Sequence, residues 1–143
     1  MENKNFSIEE CEDLVVSVPV KTILKICNPL EYVCWCDLDT PITPEEVFEY
    51  SNNNPGLTQH IQSEKFTRLD HIKKITYFLQ NDALDPIEMD VGVPALGCYI
   101  EWMIMDGNHR FFAAILKNQT NVRVGISGCI SYAKELGLLP SKF

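Results

Sequence analysis

Cys98-Tyr-Ile-Glu-Trp-Met-Ile-Met-Asp-Gly-Asn-His-Arg-Phe-Phe-Ala-Ala-Ile-Leu116 is the stretch on which the reading of this chain turns. Cys98 to Met105 is apolar apart from Glu101, which predicts a central strand covered on both faces. Phe111 to Leu116 is apolar throughout and predicts a buried helix ending near Asn118. Between them stands the polar turn Asp106-Gly-Asn-His-Arg110. A buried strand that turns sharply into a buried helix leaves the first amide groups of that helix without intrahelical partners. Gly107 permits close backbone approach, the helix dipole favours an anion, and Arg110 and His109 add donors at the same end. The turn therefore points to a phosphate site, with Asp106 beside it to face a cation or an attacking hydroxyl. Taken in isolation, Asn108 would be an ordinary cap, Asp106 a turn former, and His109 and Arg110 surface residues. Buried flanks on both sides instead hold the polar cluster at a cavity mouth.

Upstream of this junction, Arg68 to Asn81 carries Leu69, Ile72, Ile75 and Leu79 at the spacing of one helical face, with Thr67 and Asp70 placed to cap it. Asp85-Pro86 breaks that helix, and Ile87, Met89 and Val91 then alternate with acids as a half-buried strand. Downstream, Val122, Val124 and Ile126 alternate in another strand, and Ser131 to Leu136 forms a short last helix, capped at Gly137 with Leu138 packing back. In the first half, Ser7-Ile-Glu-Glu10 fits a capping box, and Leu14 to Val18 reads as the first strand. A helix or turn follows at Lys21 to Ile26, then an irregular stretch from Asn28 to Thr40. Thr43-Pro-Glu-Glu46 opens a helix that should end by Asn52, and Asn52 to Gly56 is a loop.

The chain has 143 residues, 45% of them apolar, and a formal charge of −8, which describes a folded domain with a core of its own rather than a disordered chain. Its longest apolar run falls far short of the ~20 residues that span a bilayer, and the amino terminus lacks the pattern of a secretory signal. An intracellular, cytoplasmic protein is expected. Six irregularly spaced cysteines then read as buried thiols, and Cys34-Trp35-Cys36, with no second pair at finger spacing, does not read as a zinc site. Residues 1–50 hold 11 acids against 3 bases, while residues 51–143 hold 9 against 9. The acidic third disfavours a long nucleic-acid duplex yet leaves room for a local basic pocket.

From about residue 68 to 137 the chain resembles the ParB/sulfiredoxin fold, a group that includes ParB-like nuclease domains, sulfiredoxins and free-serine kinases. The resemblance rests on the helix from Arg68, the Asp85-Pro-Ile-Glu-Met strand start, the Cys98–Met105 strand, Asp106-Gly-Asn-His-Arg-Phe-Phe-Ala-Ala, and Asn121-Val-Arg-Val; Leu14 to Val20 looks like the family's first strand. It implies an α+β fold, a small mixed sheet flanked by helices, in one domain over residues 1–143 with an irregular acidic insertion around 37–68. It also implies that Gly107, Asn108, His109 and Arg110 hold nucleotide phosphates. Sulfiredoxins carry their catalytic cysteine where this chain has Asn108, so repair of oxidised cysteine is not expected. The aspartate-glycine opening looks more like the serine-kinase and ParB-like branches. A nucleotide-binding lysine of sulfiredoxins corresponds here to His71, with Lys74 one turn further along the same face. Kinase-like relatives use acids near the first strand and at the turn; Asp106 matches the second, and Glu31, Asp37 and Asp39 are candidates for the first.

The leading expectation is an enzyme that hydrolyses ATP or a similar nucleotide or transfers its phosphoryl group, with magnesium bridging phosphate and Asp106, and with Asp106, His109 and Arg110 as catalytic residues. A second is a regulatory or anti-defence binding module of a mobile element that grips a basic protein partner through Glu9–Asp13 and Glu45–Glu49. A third is a metal-dependent ParB-like nuclease. Gln59 and His60 lie in the insertion, where a lone loop histidine carries little weight.

Overall fold

The computed structural model describes residues 14–58, 67–82 and 85–141. The helix expected at Ser7 to Glu10, the acids Glu9 to Asp13, and Gln59 and His60 lie outside the described residues. The elements run β1 (Val15–Pro19), α1 (Val20–Leu24), α2 (Pro44–Asn53), α3 (Arg68–Gln80), β2 (Ile87–Asp90), β3 (Ile104–Asp106), α4 (Asn108–Leu116), β4 (Asn121–Ser127) and α5 (Ile130–Glu135). Among the described residues this is an α+β fold with one four-stranded mixed sheet. No helix among them is long and apolar enough to cross a membrane. The chain divides into two units, each discontinuous in sequence.

The first unit comprises residues 14–27, 85–107 and 120–141 and contains the sheet, in the order β1-β4-β2-β3. β1 runs antiparallel to β4, from Val15 opposite Gly125 to Pro19 opposite Asn121. Proline is tolerated at Pro19 because β1 is an edge strand, and it leads directly into α1. β4 buries Val122, Val124 and Ile126 as their alternation predicts, and it pairs in parallel with β2, where Ile87 and Met89 are buried.

The stretch Cys98 to Met105 departs from expectation. It is not a central strand; only Ile104 to Asp106 is strand, and it forms the edge beside β2. The chain instead makes a tight excursion after β2, in which Val93 and Cys98 exchange backbone hydrogen bonds of 2.9 and 3.1 Å around a 3-10 turn at Pro94–Leu96. Tyr99 is 76% exposed and Cys98 is exposed, while Met103 and Ile104 are buried. A near-continuous apolar run does not by itself say how many of its residues find a pairing partner, and β2 offers only four positions, interrupted by a register shift between Glu88 and Met89. The cysteines also divide. Cys27 and Cys129 are buried, as expected, and burial pushes the Cys27 thiol up, whereas Cys36 and Cys98 are exposed.

The second unit, residues 28–58, 67–82 and 108–119, is helical. α2 and α3 both open on the capping boxes read from sequence: Thr43 with Glu46, and Thr67 with Asp70. Ile42, Val47, Ile72, Ile75, Phe78, Phe112 and Ala113 form the core between them and α4. The buried face of α3 differs from the expected stripe. Leu69 is 48% exposed, while His71 and Thr76 are buried. Thr76 meets its burial by donating to the Ile72 carbonyl at 2.8 Å; His71 meets it through two side chains described below. α4 begins at Asn108, ahead of its apolar run, and its exit passes through Asn118, whose φ of 57° is left-handed as at many helix ends.

Candidate functional site

Within the second unit the side chains of interest come from three places: the irregular stretch before α2, the first turns of α3, and the first turn of α4. The irregular stretch is ordered by its own bonds. Asn28 Oδ1 accepts from the Leu30 amide at 3.0 Å, and the Leu38 amide donates to the Trp35 carbonyl at 3.1 Å, closing a turn that carries Trp35 and Asp37. Further along, Arg68, the first residue of α3, donates to the Thr40 carbonyl and hydroxyl and to the Pro41 carbonyl at 2.8–3.1 Å. The same guanidinium clasps Glu46 of α2 through two bonds of 2.7 Å. That pairing holds the Glu46 carboxyl down at about 2. Arg68 thus ties the stretch to two helices, and His71 stands three residues further along α3.

His71 Nδ1 lies 2.9 Å from His109 Nε2, and His71 Nε2 lies 3.1 Å from Asp37 Oδ1. The two imidazoles are nearly parallel, at 17° with centroids 5.2 Å apart, which with the short nitrogen contact sets them edge to edge. Trp35 lies over both, its centroid 4.5 Å from His71 at 26° and 4.7 Å from His109 at 20°. Its other neighbour is Phe112, at 6.5 Å. Burial, with Lys74, His71 and Arg110 adding positive charge nearby, pushes His109 down to about 3. His109 is therefore a neutral imidazole near pH 7. Arg110 stands with its guanidinium carbon 5.9 Å from the centre of the Phe78 ring.

The residues singled out from sequence thus separate. His71, His109, Lys74 and Arg110 gather in the second unit, where α3 faces α4. Both ring nitrogens of His71, which the resemblance implied as a nucleotide-binding position, face protein partners, Asp37 and His109. Of the three candidate acids, Asp37 meets a histidine. Asn108 is the first residue of α4, and Gly107 before it has a φ of +99°, a conformation that side-chain-bearing residues rarely adopt. Asp106 ends β3 in the first unit, exposed and directly opposite Glu88 of β2. Glu88 lies over Gly125, where a Cβ would stand 2.6 Å from its Oε1, so the absence of a side chain there accommodates the carboxylate. Among the described residues no group of three or more His, Cys, Asp or Glu is arranged to hold a metal.

Sequence reasoning missed Trp35 and Glu88 altogether and left Asp37 without a partner. Trp35 had no local signal, since it sits between two cysteines in an irregular stretch. Glu88 was visible only as the outward position of an alternating strand. No protein-family model, curated protein or solved structure matches the chain.

Proposed function

We propose that the protein binds a nucleotide by its phosphates at the first turn of α4 and hydrolyses it or transfers its phosphoryl group, in the manner that the ParB/sulfiredoxin resemblance and its serine-kinase-like branch suggest. The observation that carries this reading is the positive field at that turn. Lys74 and Arg110 both act on His109, and the dipole of the nine-residue helix α4 adds the same sign. Arg110 would pair with phosphate oxygens, and Lys74 would supply a second charge from α3. His109, neutral, would donate to or accept from the reacting group without repelling either cation.

Magnesium suits this chemistry, since it is held by one or two carboxylates with phosphate oxygens and water filling the rest of the octahedron. Asp106 would hold it, with Glu88 as the adjacent carboxylate. Two like charges directly opposite on neighbouring strands disfavour each other, which a cation between them would relieve. The same pair favours, as a second reading, metal-assisted attack on a phosphodiester. The free thiols of Cys27, Cys36, Cys98 and Cys129 suit the reducing cytoplasm as its location.

Calorimetric titration with ATP, ADP and CTP, with and without magnesium, tests the reading. Wild type should bind at least one nucleotide, and Arg110→Ala should weaken that binding roughly tenfold or more. No heat from any of the three rejects the proposal.

A further inference from the structure

The stretch that carries Trp35 and Asp37 is held at two posts. At the first, the amides of Glu31 and Tyr32 donate to the Asn28 carbonyl at 3.2 and 3.0 Å, and Pro29 is buried. At the second, Arg68 grips Thr40 and Pro41, and Ile42 is buried. Between these posts, from residue 31 to residue 41, no residue is buried. The span meets α3 and α4 through side chains: Asp37 on His71, Trp35 over His71 and His109, and the half-buried Leu38 against the helical core. Its turn, closed by the Leu38 amide on the Trp35 carbonyl, bonds within the span itself. A segment with few buried contacts, attached by side chains, opens at less cost than a helix or strand of the core.

The span also lies where a ligand of the α4 turn has to arrive. Trp35 is nearly parallel to the His109 ring, at 20° with centroids 4.7 Å apart, and covers one face of it. Asp37 sets a carboxylate one imidazole away from His109, 3.1 Å from His71 Nε2. A phosphate drawn to the turn by Lys74 and Arg110 meets that carboxylate as a like charge.

We infer that residues 33–39 form a gate over the first turn of α4, latched shut by Trp35 on the two histidines and by Asp37 on His71, and that it lifts to admit a nucleotide. The inference rests on the reading of α4 as a phosphate site and names how that site is regulated. The gate is autoinhibitory, because the latched span keeps negative charge beside the place where the phosphate binds. Nucleotide therefore selects the open state, and its apparent affinity is lowered by the fraction of molecules that are open. Trp35 and Asp37 share one short turn, so a single displacement releases both. The Asp37 side chain is 37% exposed, and water takes over its bond to His71 as the span lifts. The helices stay in place, since His71 and His109 stand on α3 and α4, which are packed through Ile72, Ile75, Phe78, Phe112 and Ala113.

The test uses the full chain carrying 5-fluorotryptophan at its two tryptophans, with Trp102→Phe to assign the Trp35 resonance. Without nucleotide that resonance should report a stacked ring shielded from solvent, and saturating ATP with magnesium should move it to a solvent-exposed position. Asp37→Ala should populate the exposed resonance in the absence of nucleotide. It should also speed ATP association and tighten apparent binding, each about tenfold or more, the gain expected where about a tenth of molecules or fewer are open. Trp35→Ala should change binding in the same direction. A residue that merely supports the fold would weaken binding when removed, so the sign separates the two roles. ATP binding no faster and no tighter in Asp37→Ala than in wild type, or a Trp35 resonance that saturating ATP leaves in place, overturns the gate and leaves the phosphate reading standing. If wild type and both variants are all silent towards ATP, the phosphate reading fails, and the gate, with nothing to admit, fails with it.

Discussion

At the level of single residues, the chain shows why the polar turn after β3 is written as it is. Gly107 adopts a φ of +99°, so it is a backbone requirement and not a filler between Asp106 and Asn108. Gly107→Ala should therefore cost on the order of 1–3 kcal/mol of stability, measured by urea unfolding, and a change below a few tenths would mean that the turn relaxes easily. His109 illustrates the opposite case, a residue whose identity was legible but whose state was not. From sequence it is an imidazole near its ordinary titration range; in the fold, burial and the cations Lys74 and Arg110 keep it neutral. The residue type is written in the chain, but its protonation follows from burial and from a charge set that includes Lys74, thirty-five positions away.

Among the elements, the helices of the second unit were the most legible part. Thr43-Pro-Glu-Glu46 and Thr67 to Asp70 carry their caps within four residues, and local bonds of this kind survive whatever the tertiary context. Glu46 serves twice, as the reciprocal acceptor of the α2 cap and as the partner of Arg68. Its folded-state carboxyl stands at about 2 against an ordinary value near 4.5, so it contributes stability that is fully present above the unfolded value and is lost as pH falls from about 5 towards 2. Glu46→Gln should be less stable than wild type near pH 7, by about 1 kcal/mol given that the pair is a third exposed, and the gap should close on acidification through that window. Thermal unfolding at pH 7 and pH 3 measures both; an equal difference at the two values would show that the charge of Glu46 does not matter. The strand at Cys98 to Met105 was the least legible element, because an apolar run is equally the mark of a buried strand and of a loop that exposes some of its residues.

For the molecule as a whole, the balance of charge sets what it meets. The charge of −8 opposes a polyanion, and two acids of the amino-terminal third are already committed, Asp37 to His71 and Glu46 to Arg68. Fewer acids are thus available to a basic partner than a count along the chain suggests. A duplex of about 30 base pairs should not be retarded by the protein near 0.15 M salt, and magnesium should not elicit cleavage. Cleavage that Asp106→Asn abolishes would instead favour the phosphodiester reading.

The amino-acid sequence alone determined the capping boxes of α2 and α3, the alternating strands at Ile87 and Val122, and the polar turn from Asp106 to Arg110. Each of these is encoded by residues within one turn or one strand of each other, where spacing and side-chain chemistry suffice. Only the tertiary structure decided that Ile104 to Asp106 lies at a sheet edge, that Glu88 stands opposite Asp106, and that Trp35, Asp37, His71 and His109 meet. Those juxtapositions join residues far apart in the chain, and pairing and burial between distant segments leave no periodic trace in either partner.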